Sequence, residues 1–171
     1  MANLVYQLDG TIIWFVPAAA TQAEDAIFEV DGLGAAAGHQ SAQYDFGTSA
    51  RASIYAWRAF MQWASAPADG DEIRIYLKTA YITGTSGHPD NDDGVTDGAV
   101  SAEDKLGNLH YLGSIGEDEL VIDKEMVASG LVEIRHRVIQ VVFWNTSAVD
   151  TLTTDVNENG FMLTPVPDQI Q

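Results

Sequence analysis

The chain has 171 residues, 46% of them hydrophobic and 19% charged, and 25 Asp plus Glu against 8 Lys plus Arg give a net charge of −17. A chain of this length is expected to form one domain that buries roughly 70% of its unfolded surface, and so acid a field repels phosphate backbones unless a basic patch intervenes; none is visible, so no nucleic-acid partner is expected. The sequence holds no cysteine, which excludes disulfides, thiolate metal sites and cysteine catalysis.

At the N-terminal end, Leu4 to Leu8 and Thr11 to Val16 read as strands on either side of Asp9-Gly10, a tight-turn signal. Thr11 to Ala20 has the apolar look of a secretory signal core, but Met1 to Gly10 contains no Lys or Arg and carries Asp9. No apolar run approaches the roughly 20 residues of a membrane-spanning helix, and no membrane partner is expected. Asp25 to Val30 is a further strand or the tail of a short helix begun near Thr21. Asp31 to Gly38 reads as a loop, and Gln43 to Phe46 as a short strand.

Arg51 to Tyr81 carries the clearest pattern. Tyr55, Trp57, Ala59, Met61 and Trp63 share one parity and Arg58 and Gln62 the other. Ile73, Ile75 and Leu77 alternate with Glu72, Arg74, Tyr76 and Lys78. Period-two alternation places one set on a buried face and the other toward water. With Pro67-Ala68-Asp69-Gly70 between the runs, the stretch reads as an antiparallel hairpin with one solvated face. Trp57, Met61 and Trp63 then belong to the core.

Thr83 to Gly98 is polar and Gly-rich, a long surface loop of the kind that is usually functional or mobile. Leu106 to Ile115, Glu119 to Ile122 and Leu131 to Ile134 follow as strands. Val138 to Trp144 is almost continuously apolar, which suits a strand covered on both faces or one that meets a neighbouring subunit. Asn159 to Pro165 closes the series, with Pro165 and Pro167 confining its end to an edge. Eight to ten short strands with no sustained helical period predict an all-β, single-domain antiparallel β-sandwich over residues 1–171, jelly-roll-like in its crossings.

No residue pattern supports catalysis, and no cofactor is expected. His39, His88, His110 and His136 are scattered, whereas a metal site needs three or four converging ligands; solvated histidines are expected. Asp90 to Gly94 with Asp97 is the carboxylate cluster in which calcium is conceivable, but aligning Gly94 with the loop glycine of an EF-hand puts Pro89 first and Val100 last, and the match fails. Glu117-Asp118-Glu119 is ordinary turn chemistry. Trp14, Trp57, Trp63 and Trp144 raise a carbohydrate-platform reading, opposed by the core parity of Trp57 and Trp63. Arg58, Arg74 and Lys78 fall on the polar parity of the two hairpin runs and are expected to share one exposed face; Arg135 and Arg137 share a parity further on. Such a cluster of cations on an acidic chain is a candidate partner interface, the bland reading being pairing with neighbouring acids.

A series of short motifs runs through the chain: Gly38-His39-Gln40-Ser41-Ala42, Phe46-Gly47, Tyr55-Ala56-Trp57-Arg58-Ala59, Ala66-Pro67-Ala68-Asp69-Gly70, Ile75-Tyr76-Leu77, Asn108 to Ser114, Leu163-Thr164-Pro165 and Asp168 to Gln171. Their order, over about three quarters of the chain, resembles the small β-rich decoration or cement proteins of tailed-phage heads. The resemblance implies a non-enzymatic virion protein with a jelly-roll-like sandwich. Such a protein sits on the outer surface of the assembled capsid, binds the major capsid protein, clamps adjacent capsomers and is often a homotrimer. Residues 1–35 match less well and suit an N-terminal arm or subunit-exchange segment. The alternative is a carbohydrate-binding β-sandwich displayed on the virion.

Overall fold

A computed structural model of the chain describes residues 11–49, 51–84, 94–116 and 125–166. Eleven strands occur in them: β1 (Ile13–Val16), β2 (Ala26–Ile27), β3 (Gly38–Gln40), β4 (Tyr44–Asp45), β5 (Ile54–Met61), β6 (Glu72–Ala80), β7 (Gly98–Val100), β8 (His110–Gly116), β9 (Met126–Glu133), β10 (Val138–Asn145) and β11 (Gly160–Pro165). One sheet has the order β2-β1-β11-β5-β9 and the other β7-β3-β10-β6-β8, with β4 also pairing β10. All pairings are antiparallel except β1 with β2. The architecture is the all-β sandwich that the alternation predicts. The strands expected at Leu4 to Leu8 and Glu119 to Ile122 involve residues outside the described ones.

The Arg51 to Tyr81 stretch is corrected in one respect. Its parities hold: Tyr55, Trp57, Ala59, Met61, Ile73, Ile75 and Leu77 are all buried. Its hairpin does not. β5 pairs β11 and β9, whereas β6 pairs β10 and β8. The two strands lie in opposite sheets, and the connection arches across the sandwich. An apolar parity reports which face is covered and says nothing of which strand lies alongside. Both strands turn their apolar sets to the same core from opposite sides, where Trp57 stacks on Phe161 (6.1 Å, 11° between planes) and Phe28 meets Phe143 edge-on at 4.9 Å.

β10 is buried at every position. Ile139, Val141 and Phe143 face the inter-sheet core, while Val142 and Trp144 pack outward with Val100 and Leu106. Leu106 comes from a 3-10 helix, Glu103–Asn108, that lies over this outer face. The expected strand over Leu106 to Ile115 therefore begins only at His110. The subunit-interface reading of Val138 to Trp144 is also corrected, because the chain's own 3-10 helix covers this strand. Of the segment offered as an arm, residues 13–33 are part of the sandwich, with Ile13, Phe15, Phe28, Val30 and Leu33 in its core.

Candidate functional site

The cations expected on one face are distributed over the molecule. Arg58 projects from the outer face of β5 and donates from Nη2 to Glu125 Oε1 at 3.0 Å. Arg74 lies on the opposite sheet, with Nε 2.6 Å from Glu72 Oε1 and Nη1 3.2 Å from Glu103 Oε1. Lys78 is buried: its ammonium donates to the Gly94 carbonyl (2.7 Å) and to Gln40 Oε1 (3.3 Å). Arg135 pairs with Glu133 at 2.9 Å, and Arg137 grips both oxygens of Asp45 at 2.7 and 2.6 Å. The expected shared cationic face is thus corrected, because β5 and β6 belong to different sheets and each arginine of the set meets a carboxylate. The Arg137 fork holds the Asp45 carboxyl below the usual range, and Arg74 does the same to Glu72.

The outer face of the first sheet has the clearest shape. The register Trp14↔Met162, Met162↔Arg58 and Arg58↔Ser129 runs a row of side chains across β1, β11, β5 and β9. Two residues along, Gly160 faces Phe60, and a Cβ there would stand 2.7 Å from the ring and 2.8 Å from Val16. The missing side chain lets Phe60 lie down over β11. Together Trp14, Phe60 and Met162 form the apolar side of a pocket of about 180 Å³, rimmed by Gln22, Arg58, Glu125 and Asn157. The Gln22 side-chain oxygen is buried and has no hydrogen-bond partner among the described residues. Asn157 is fixed to the rim by its side-chain oxygen, which accepts the Thr21 N–H at 2.8 Å. Sequence reasoning missed this pocket because its residues come from five separate segments, and no local motif links positions 14, 22, 58, 125 and 157.

The same face continues to an edge. Among the described strands β9 pairs only with β5, and its outward residues include Val127 (46% exposed) and Leu131 (69%), beside Ile54 (38%) on β5. β9 carries no proline or lysine, and its only charge is the terminal Glu133. Its own residues thus carry neither the proline nor the lysine that commonly keeps an edge from pairing with another chain.

A second, shallower groove lies on the outer face of the other sheet, with Tyr76 and Tyr111 at its base (ring centroids 5.3 Å apart, 58° between planes) and Arg74 and Glu103 at its margin. Its walls, Leu106, Gly107 and Leu109, belong to the 3-10 helix segment that covers β10. Both margin charges are already engaged with each other.

His39, expected to be solvated, lies instead in β3, with Nε2 3.1 Å from Asp97 Oδ1 and its ring against Phe28. Asp97 also accepts the Glu29 N–H at 2.9 Å. Asp90 to Asp93, His88 and the Glu117-Asp118-Glu119 turn lie outside the described residues.

No family model and no curated protein matches the chain. Among solved structures, it is similar to the C-terminal CBM6 of LamC, a marine laminarinase from Zobellia galactanivorans, at 12% identity over 90% of this chain and 99% of that one, with a TM-score of 0.42. It is also similar to the CBM22-1–GH10 modules of the Clostridium thermocellum xylanase 10B, at 10% identity over 95% of this chain, with a TM-score of 0.37. The chain spans 26% of the length of the latter. At TM-scores below 0.5 these likenesses assign neither family nor ligand.

Proposed function

We propose that this chain is a non-catalytic docking protein of the phage-head cement kind, which binds the major capsid protein through the outer face of its first sheet and so sits on the outer surface of the virion. The observation that carries this reading is the edge strand β9 with Val127 and Leu131 exposed beside Ile54. An edge strand without proline or lysine, flanked by exposed apolar side chains, is a template for another chain, on a molecule whose net charge of −17 otherwise favours solvation. Repeated over a lattice, one modest contact per subunit gives large total avidity. Co-sedimentation with assembled heads tests it. Val127→Asp with Leu131→Asp is expected to abolish binding while leaving the unfolding temperature close to that of the parent; retained binding overturns the reading.

A carbohydrate-binding role on the virion is the second reading, favoured by the Trp14 pocket, which an aromatic ring, two side-chain amides and an ion pair line together. Glycan-array binding checks this role.

A further inference from the structure

We infer that the pocket between Trp14 and the Arg58–Glu125 ion pair is a subsite for a single neutral pyranose ring, an inference that rests on the carbohydrate reading of function. Size comes first. Its 180 Å³ is below the about 300–1,000 Å³ of sites for drug-sized ligands, so it takes one ring and leaves the rest of a chain outside. Its two sides differ in chemistry. Trp14, Phe60 and Met162 offer apolar surface for the C–H face of a sugar. Gln22, Asn157 and the ion pair line the same pocket and bring both acceptors and donors for ring hydroxyls.

Charge narrows the class further. Arg58 and Glu125 are 3.0 Å apart and neutralise each other, so the pocket supplies no free cation to offset a carboxylated or sulfated sugar, and the net charge of −17 repels such ligands.

The molecule supplies its own reporter. Trp57, Trp63 and Trp144 are buried in the folded protein, whereas Trp14 is only partly covered and lines the pocket. A change in tryptophan emission on adding sugar therefore reports on Trp14.

The experiment titrates the full chain with a panel of neutral hexose oligosaccharides and with sialylated and sulfated glycans, followed by tryptophan emission and by calorimetry. A saturable change with one or more neutral sugars and none with the anionic ones is expected. Trp14→Phe and Gln22→Ala, each checked to unfold at the parent temperature, are expected to weaken binding, the latter by about tenfold. Loss of Leu131 by Leu131→Asp is expected to leave sugar binding unchanged. No response to any neutral sugar at the solubility limit overturns the inference. Equal binding of anionic sugars, or undiminished binding by both pocket variants, also overturns it. Head co-sedimentation by the same Trp14 and Leu131 variants separates this outcome from failure of the docking reading: a protein that binds heads through Leu131 yet no sugar loses the pocket inference alone.

Discussion

The indole of Trp57 lies against the backbone of Gly130, so closely that a Cβ at position 130 would stand 2.8 Å from Nε1. The two residues face each other across β5 and β9, and the indole also stacks on Phe161 of the neighbouring strand β11. Gly130→Ala therefore has nowhere to place its methyl without moving a ring that is 5% exposed. We expect a loss of about 1–3 kcal/mol, read as a fall of several degrees in unfolding temperature by calorimetry. Gly116→Ala, where an added Cβ meets nothing within 4 Å, is the matched control, and equal falls in both variants would sink the packing argument.

Lys78 ties Gly94, a few residues before β7, to the sandwich through the Gly94 carbonyl. Lys78→Met keeps most of the buried stem and removes the donor, leaving the oxygens of Gly94 and Gln40 short of a partner. A cost of about 1–3 kcal/mol in urea unfolding is expected, with faster limited proteolysis within residues 83–98. An unchanged digestion rate would show that the Lys78 contact does not protect this stretch of chain.

Acid should weaken the fold through two carboxylates. Asp45 and Glu72 have folded-state pKa values held below their ordinary ones, mainly by hydrogen bonds from Arg137 and Arg74. Their contributions are fully present above the unfolded-state values of about 4 and are lost as pH falls through the lower folded values. Both pairs are partly solvated, so the effect is modest. Arg137→Gln should flatten the acid limb of unfolding temperature against pH while the slope above pH 5 stays the same; an unaltered acid limb would exclude Asp45 as a contributor.

Asn145 makes a three-way tie near the end of β10. Its side-chain nitrogen donates to the carbonyls of Gly34 (3.0 Å) and Asp150 (2.8 Å), and its oxygen accepts the Ser147 N–H at 2.9 Å. Asn145→Asp preserves shape but turns two donors into acceptors facing carbonyls. It is expected to destabilise the protein by at least as much as Asn145→Ala, and by about 2 kcal/mol or more. Chemical denaturation of the two variants checks the order.

How much of this was legible in the sequence depends on what each pattern measures. Alternation in Tyr55 to Trp63 and Ile73 to Leu77 identifies the buried faces because burial follows side-chain parity directly. It assigns the wrong neighbours because two strands of one sheet and two strands facing across a core give the same pattern. The continuous apolar run Val138 to Trp144 announces a strand covered twice, but its outer cover comes from Leu106, in a Glu-Asp-Lys-Leu-Gly-Asn segment with no strong helical period. The charge pattern misled for the same reason as the hairpin: Arg58 and Arg74 share a parity and not a sheet. Trp14 was visible as one of four tryptophans, yet only the register with Met162 and Arg58 shows that it lines a pocket.

The position of β11 between β1 and β5 has a consequence for how the chain is made. During translation, β1 and β5 leave the ribosome long before Gly160–Pro165, the strand that joins them. Through that interval Phe15, Trp57 and Met61 have only half of their eventual shelter, and pairing between segments so distant along the chain is slow. The nascent protein is then a natural client for chaperones, and any shortening that removes residues 160–165 divides the sheet down its middle.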